Sequence, residues 1–151
     1  MVIVSDDLTN SQVIALLQEH LDDMALHSPP ESVHALDLDA LRSSDVTFYS
    51  AWQDSSLMGC GAIMELGSSW GEVKSMRTAK AHLRKGVAAS LLSHLLEVAR
   101  SRNYQRLSLE TGSMKAFAPA HQLYSSFGFL ECEPFADYEL DPFSIFMTLE
   151  L

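Results

Sequence analysis

A basic loop with one glycine lies directly before a predicted helix and could bind phosphate groups. Its residues are Leu83, Arg84, Lys85, Gly86, Val87 and Ala88. The first N–H groups of an α-helix have no partner within the helix and carry partial positive charge, so they attract phosphate oxygens. Glycine lets the backbone turn closely around such a ligand, and Arg84 and Lys85 add charge-assisted contacts. The loop predicts a site for a phosphorylated ligand; the alternative is an ordinary connection with surface cations.

A second segment, further along the chain, places a tyrosine on a predicted helix. Leu123 and Tyr124 precede Gly128, which is expected to end that helix, and Phe129 follows it. A phenol hydroxyl can give a proton to a departing anion, so Tyr124 is a candidate general acid. The alternative is that Tyr124 only packs against a bound ligand.

The charged residues are distributed unevenly along the chain. The formal net charge is −10, with 10 Lys and Arg residues against 20 Asp and Glu residues. All the Lys and Arg residues except Arg42 lie between positions 74 and 115, where the only acidic residues are Glu97 and Glu110. This pattern indicates a locally positive site for a polyanionic cofactor in an acidic body, which would attract a cationic co-substrate; the alternative is a chance distribution over a solvated surface. The net charge argues against nucleic acid as a partner, because phosphate neutralisation needs a basic face.

The length and composition are those of a globular protein. A chain of 151 residues with 47% hydrophobic residues is expected to form one domain over residues 1–151. No apolar run approaches the roughly 20 residues that a membrane-spanning helix needs, and the N-terminus does not resemble a signal peptide. Cys60 and Cys132 lack the spacing of a metal site and predict free thiols in a reducing compartment. We therefore expect a cytoplasmic protein.

Apolar periodicity and turn residues divide the chain into alternating helices and strands. Helices are expected from the Thr9–Gln12 capping pattern to about His27, and over residues 37–42, 86–102 and 118–127. Strands are expected over residues 2–4, 46–52, 57–66, 70–77, 106–110, 129–133 and 144–151. The strands before and after the third helix should be parallel. The order predicts a mixed α/β fold, with one mostly antiparallel sheet of six to seven strands flanked by about four helices.

This order of elements, together with the two motifs, resembles the Gcn5-related N-acetyltransferase (GNAT) superfamily over nearly the whole chain. The cofactor signature of that family is Arg/Gln-x-x-Gly-x-Gly/Ala; Gly86 and Ala88 match its second half, and Leu83 takes the place of its first residue. The resemblance implies acetyl-CoA as co-substrate and a transfer of acetyl to an amine. It also implies the cofactor-binding residues, which are Met76, Arg77, Thr78, Leu83, Arg84, Lys85, Gly86, Val87, Ala88, Phe117 and Ala120. Phe117 replaces an asparagine that many relatives carry.

The resemblance also implies roles at the reacting centre. Main-chain groups around Met76 and Thr78 would hold the thioester carbonyl, and Tyr124 would protonate the departing CoA thiolate. An attacking amine must lose a proton, for which Glu72 is the first candidate base and Glu110 the second. Glu110, Asp22 and Asp23 are expected to contact the amine. The alternative for Glu72 is an ordinary strand glutamate.

Several alternatives remain open from the sequence. The acceptor could be a cationic small molecule or a peptide amine, whereas the net charge disfavours an amine attached to tRNA. The departures at Leu83 and Phe117 leave room for a non-catalytic CoA-binding module that regulates without turnover. His20, Asp23 and His27 share a helix face, but we expect no metal there. The segment 135–142 could form a lid, or a contact in a homodimer.

Overall fold

The structure, a computed structural model, describes all residues from 1 to 151. Its seven strands are β1 (Val2–Ser5), β2 (Val46–Gln53), β3 (Ser56–Gly67), β4 (Trp70–Thr78), β5 (Arg106–Gly112), β6 (Leu130–Cys132) and β7 (Ser144–Glu150). Its four α-helices are α1 (Ser11–His27), α2 (Leu38–Leu41), α3 (Val87–Ser101) and α4 (Ala118–Ser126). The predicted mixed α/β fold is confirmed. No helix combines the length and the apolar character that crossing a bilayer requires.

The seven strands form one sheet in the order β1-β2-β3-β4-β5-β7-β6. Every neighbouring pair is antiparallel except β4 and β5, which are parallel, as the sequence predicted. The parallel pairing covers only the first three residues of each strand, from Trp70 opposite Arg106 to Glu72 opposite Ser108. Beyond Glu72 the two strands are not paired with each other, so the middle of the sheet is open there.

A β-bulge interrupts β4 just beyond this point. Cys60 pairs with Arg77 and Ala62 with Lys74, so Ser75 and Met76 lie together opposite Gly61 alone. Ser75 has a φ of 55°, in the left-handed region that serine rarely adopts. A Cβ on Gly61 would lie 2.6 Å from the Met76 sulfur, so only glycine leaves room for that side chain. The bulge is therefore built by residues of both strands.

Helices α1 and α3 cover opposite faces of the sheet. Added Cβ atoms on Gly59 and Gly61 would point at Leu91 and Leu95 of α3. The intervening residue, Cys60, belongs to a separate apolar cluster with Val13, Leu16 and Leu17 of α1. Because side chains alternate between the two faces of a strand, the two helices lie on different sides. The buried residues of α3 follow the predicted stripe, and they are Val87, Leu91, Leu92, Leu95, Leu96 and Ala99.

The start of α1 differs from the prediction by its capping residue. Thr9 was expected to cap the helix, but its hydroxyl donates to Asp7, and the Asn10 side chain accepts from the Gln12 N–H at 2.8 Å instead. The Gln12 side-chain amide donates to the Ser55 carbonyl. Asn caps a helix at least as well as Thr does. The backbone N–H and the hydroxyl of Thr9 both donate to the Asp7 carboxylate, so Thr9 does not cap the helix.

Candidate active site

A cavity of about 270 Å³ opens where β4 and β5 are no longer paired. Its walls come from β4 and β5, from the C-terminal half of α1 and the segment 32–35, and from α4 with the turn before it. The polar side chains that line it are His20, Asp23, His27, Ser28, Ser32, His34, Lys74, Ser75, Arg77, Glu110, Thr111 and Tyr124. The cavity therefore brings together groups that are far apart in sequence.

The predicted phosphate site lies at the start of α3. Gly86 is the N-cap residue and has a φ of 79°, and no side chain caps the helix. The N–H groups of its first turn are thus left for another acceptor, and Arg84 and Lys85 are exposed beside them. A Cβ on Gly86 would meet nothing within 4 Å, so glycine is required there by the backbone conformation.

Of the other predicted cofactor residues, some line the cavity and some lie outside it. Met76 and Arg77 line the cavity, and Thr78 is the last residue of β4. Leu83 is 56% exposed and lies outside the cavity. Phe117 and Ala120 line the opposite wall, where the Phe117 ring makes an edge contact with His27 at 5.9 Å between centroids. Phe117 thus gives this wall an apolar surface in place of the amide that asparagine would supply.

Tyr124 projects into the cavity from α4. The residue is buried, and its ring makes an edge contact with Phe129 at 5.8 Å between centroids. Burial, followed by the nearby Glu110 carboxylate, raises the pKa of Tyr124, so the phenol keeps its proton at neutral pH. Gly128 has a φ of 98° and follows the last residues of α4, as its predicted role at the helix end requires.

Glu110 is the carboxylate of β5 that lines the same cavity. Burial raises its pKa from an ordinary 4.5 to about 7, against the opposing effects of the Ser144 hydroxyl and then of the Lys74 cation. A carboxylate with this pKa exists in both protonation states near neutral pH, which is the requirement for a general acid or base.

Glu72 does not line the cavity, although it lies on the adjoining strand. Its side chain is 1% exposed. One of its oxygens, Oε2, accepts from Lys74 Nζ at 3.2 Å and from the Tyr138 hydroxyl at 2.6 Å. Glu72 lines a neighbouring cavity instead. Its assignment as the base stays a prediction.

Lys74 and Tyr138 complete a buried polar network that the sequence reasoning did not identify. Lys74 Nζ also donates to the Tyr138 hydroxyl at 2.8 Å and to the His34 carbonyl at 3.2 Å. The Tyr138 ring packs against His34 with 5.0 Å between centroids. The network fixes the segment 135–142 and the segment around His34 onto β4. Glu72 and Lys74 are two apart on a strand and so share a face, which was the available signal.

Ion pairs join the wall formed by α1 to β4. Arg77 Nη2 contacts Glu19 at 2.8 Å and Asp23 at 2.5 Å. His20, on the same helix, has its pKa lowered to about 4 by burial and then by the Arg77 charge, so its ring is neutral. Of the two aspartates predicted to contact the acceptor, Asp23 lines the cavity, whereas Asp22 is exposed and accepts from Gln18.

A second cavity, of about 610 Å³, adjoins the first. His34 and Lys74 line both cavities, and the segment 136–141 forms one wall of the second. Five carboxylate residues line it, namely Glu31, Glu72, Asp137, Glu139 and Asp141. The approach to the first cavity from this side is therefore acidic.

Comparisons with known proteins agree with this geometry. Residues 13–129 match the profile of the acetyltransferase (GNAT) family. The chain is 59% identical to the uncharacterized N-acetyltransferase YsnE of Bacillus subtilis, over 100% of both chains. It is 52% identical to the uncharacterized N-acetyltransferase YedL of Escherichia coli, over 99% of this chain and 94% of that protein.

The fold agrees with solved structures as well. A GNAT family acetyltransferase from Elizabethkingia anophelis, with acetyl-CoA bound, superposes with a TM-score of 0.69 at 18% identity, over 99% of this chain and 97% of that one. The names of both close relatives favour an enzyme over the non-catalytic CoA-binding module. The chain belongs to the GNAT family of acetyltransferases, which confirms the predicted family, enzyme class and acetyl-CoA co-substrate.

Proposed function

We propose that the protein transfers the acetyl group of acetyl-CoA to an amine by direct attack in the 270 Å³ cavity. The amine nitrogen forms a bond to the acetyl carbon, the carbon–sulfur bond breaks, and CoA leaves as a thiolate that gains a proton. The proton that the amine loses passes to a base. The observation that carries the proposal is that Tyr124 and Glu110 line the same cavity, at the point where β4 and β5 part.

We assign the base to Glu110. A free alkyl amine has a pKa near 10, so a protein group must accept its proton at neutral pH. Glu110 faces the cavity and its pKa is about 7, whereas the Glu72 oxygen Oε2 is held by Lys74 and Tyr138. Deprotonated Glu110 also offers a negative charge to hold a cationic amine before it attacks. Transfer is therefore expected to increase with pH through about 7.

We assign the acid to Tyr124. The departing thiolate needs a proton, and the buried phenol retains its own at neutral pH because burial raises its pKa. The residue reaches the cavity from α4, opposite β4, where the thioester is expected to lie. Giving the proton at the moment of bond cleavage is the usual task of such a group and contributes roughly 100-fold or more to the rate.

We propose a cationic amine as the acceptor, either a small molecule or the amine of a peptide. Support comes from the net charge of −10 and from the five carboxylate residues of the adjoining 610 Å³ cavity. An acidic approach raises the local concentration of cations and speeds their encounter with the site. An anionic amine would be repelled on the same path.

The test is an assay of CoA release with a panel of amines, from polyamines and basic peptides to acidic amino acids. We expect turnover with members of the cationic half of the panel, and a higher KM at high salt because salt screens the attraction. Turnover that is confined to acidic amines would contradict the assignment of the acceptor class.

Tyr124→Phe tests the assignment of the acid. We expect kcat to fall roughly 100-fold while the Kd of acetyl-CoA stays within about twofold, because the hydroxyl acts only as the thiolate leaves. The matched control is Tyr104→Phe, since Tyr104 is also buried but bonds Glu65 and does not line the cavity. Equal kcat values for Tyr124→Phe and the wild type would exclude the proposed role.

A further inference from the structure

Unpartnered polar atoms are concentrated at the 270 Å³ cavity. Five buried side-chain nitrogen or oxygen atoms in the protein have no hydrogen-bond partner. Three of them belong to residues that line this cavity, namely His20 Nδ1, Ser75 Oγ and Arg77 Nε. Buried polar groups are nearly always hydrogen-bonded, so each exception calls for an explanation. A ligand in the cavity would supply the missing partners.

Ser75 is the most unusual of the three. Its side chain is about nine-tenths buried, and its backbone has a φ of 55° in the bulge of β4. The neighbouring strand holds this conformation in place, because the Cys60 thiol donates to the Ser75 carbonyl at 3.3 Å. A left-handed serine and an unpaired buried hydroxyl both cost free energy. Strained conformations of this kind persist where the surroundings fix them, and they cluster at functional sites.

The other two atoms are less free to meet a new partner. Arg77 is fixed by Glu19 and Asp23 of α1, and two carboxylates already neutralise its charge. The half-buried His20 ring is neutral, because its pKa is lowered to about 4, and its nitrogen can be redirected only by moving the whole ring. A serine hydroxyl turns about a single bond, so Ser75 can direct its proton at an acceptor atom without moving the backbone. The Ser75 hydroxyl is a single neutral donor, and the nearby Arg77 already has its charge neutralised by two carboxylates. The acceptor that suits such a site is therefore an uncharged carbonyl oxygen.

We infer that the Ser75 hydroxyl donates a hydrogen bond to the carbonyl oxygen of the acetyl thioester. This inference rests on the proposed function, in which Tyr124 faces the thioester sulfur in the same cavity. The carbonyl carbon is bonded to that sulfur, so its oxygen lies within the space between Tyr124 and the bulge. As the amine attacks, negative charge grows on this oxygen, and the Ser75 contact strengthens along with main-chain donors of β4. Ser75 is then a substrate contact that no motif in the sequence indicated.

The test compares two ligands that differ only in the carbonyl. Acetyl-CoA has it, and S-ethyl-CoA, a thioether of similar size, does not. Titration calorimetry gives the Kd of each ligand for the wild type, Ser75→Ala and Ser75→Gly. Both variants lose the hydroxyl, but only glycine relieves the positive φ, so the pair separates the hydrogen bond from backbone strain.

We expect the wild type to prefer acetyl-CoA, and the ratio of the two Kd values to fall about threefold to tenfold in both variants. That range is the usual size of one neutral hydrogen bond. An unchanged ratio, or an equal weakening of both ligands, would overturn the inference. If neither ligand binds the wild type, the proposed function fails instead, so the two failures are distinguishable. Should Ser75→Ala fail to fold, Ser75→Gly alone decides.

Discussion

Replacing Glu110 by Gln should make the protein more stable at pH 8 and change it little at pH 4.5. Burial raises the pKa of the Glu110 carboxyl from 4.5 to about 7 in the folded protein. The folded state therefore keeps the proton at pH values where the unfolded chain has lost it. The favourable contribution of the protonated group is complete below pH 4.5 and disappears as the pH rises through about 7. Glutamine is neutral at every pH and avoids this loss.

The size of the effect follows from the two pKa values. A difference between about 7 and 4.5 corresponds to about 3 kcal/mol, at about 1.4 kcal/mol per pH unit. For a protein of 151 residues, 3 kcal/mol would raise Tm by roughly 6 to 12 °C. This is an upper value, because the carboxylate can also lower its cost by rearrangement in the folded state.

The assay is urea unfolding of the wild type and Glu110→Gln at pH 5, 6, 7 and 8. The difference in the free energy of unfolding should grow across this range and level off above pH 7. Glu97→Gln is the matched control, because that carboxylate is on the exposed face of α3 and should give no such trend. A difference that is independent of pH, or a variant less stable than the wild type at pH 8, would refute the reasoning. A carboxylate that lowers stability in this way is expected to be retained for its chemistry.

Three further changes test other parts of the structure. Gly86→Ala should lower the free energy of unfolding by about 1 kcal/mol, because residue 86 has a φ of 79°. Gly67→Ala should cost little, since a Cβ at position 67 would meet nothing within 4 Å, and urea titration compares the two variants. Lys74→Met should lower the free energy of unfolding by about 3 kcal/mol or more, because the buried Glu72 carboxylate loses its cation. The double variant with Glu72→Gln should recover part of that loss in the same titration. The wild type should lose up to about 3 kcal/mol of stability between pH 6.5 and pH 4, because the folded protein keeps His20 neutral down to a pKa of about 4 while the unfolded chain takes up a proton. His20→Gln should remove this loss, and thermal unfolding at pH 5 and pH 7 compares the two proteins. An equal loss at pH 5 in His20→Gln and the wild type would show that other groups cause the acid sensitivity.

Local patterns predicted most of the fold. The apolar stripe of α3 is visible in the sequence because helical periodicity depends only on neighbouring residues, and α3 buries that stripe as expected. Gly86 and Gly128 were identifiable because a positive φ selects glycine, and both have one. The cap of α1 was missed because two adjacent residues, Thr9 and Asn10, could each serve, and the competing turn at Asp7 decides between them.

Long-range register explains what the sequence did not reveal. The bulge at Ser75 depends on how β3 pairs with β4, and nothing near Ser75 in sequence signals it. The network of Glu72 and Lys74 needs Tyr138, which is 66 residues from Glu72 and approaches through a loop. Glu72 and Glu110 are both strand glutamates and look equivalent in sequence. The tertiary structure separates them: Glu72 bonds Lys74 and Tyr138 and lines the second cavity, whereas Glu110 lines the first.

The central claim is that acetyl-CoA binds between the start of α3 and the cavity beside Tyr124. Calorimetric titration with acetyl-CoA tests it most directly, on the wild type, Gly86→Glu and the matched control Gly67→Glu. The account predicts one site per chain in the micromolar range or tighter, unchanged in Gly67→Glu and lost in Gly86→Glu, whose added charge and strained backbone oppose phosphate binding. Undiminished binding to Gly86→Glu, or no binding to the wild type, would contradict the account.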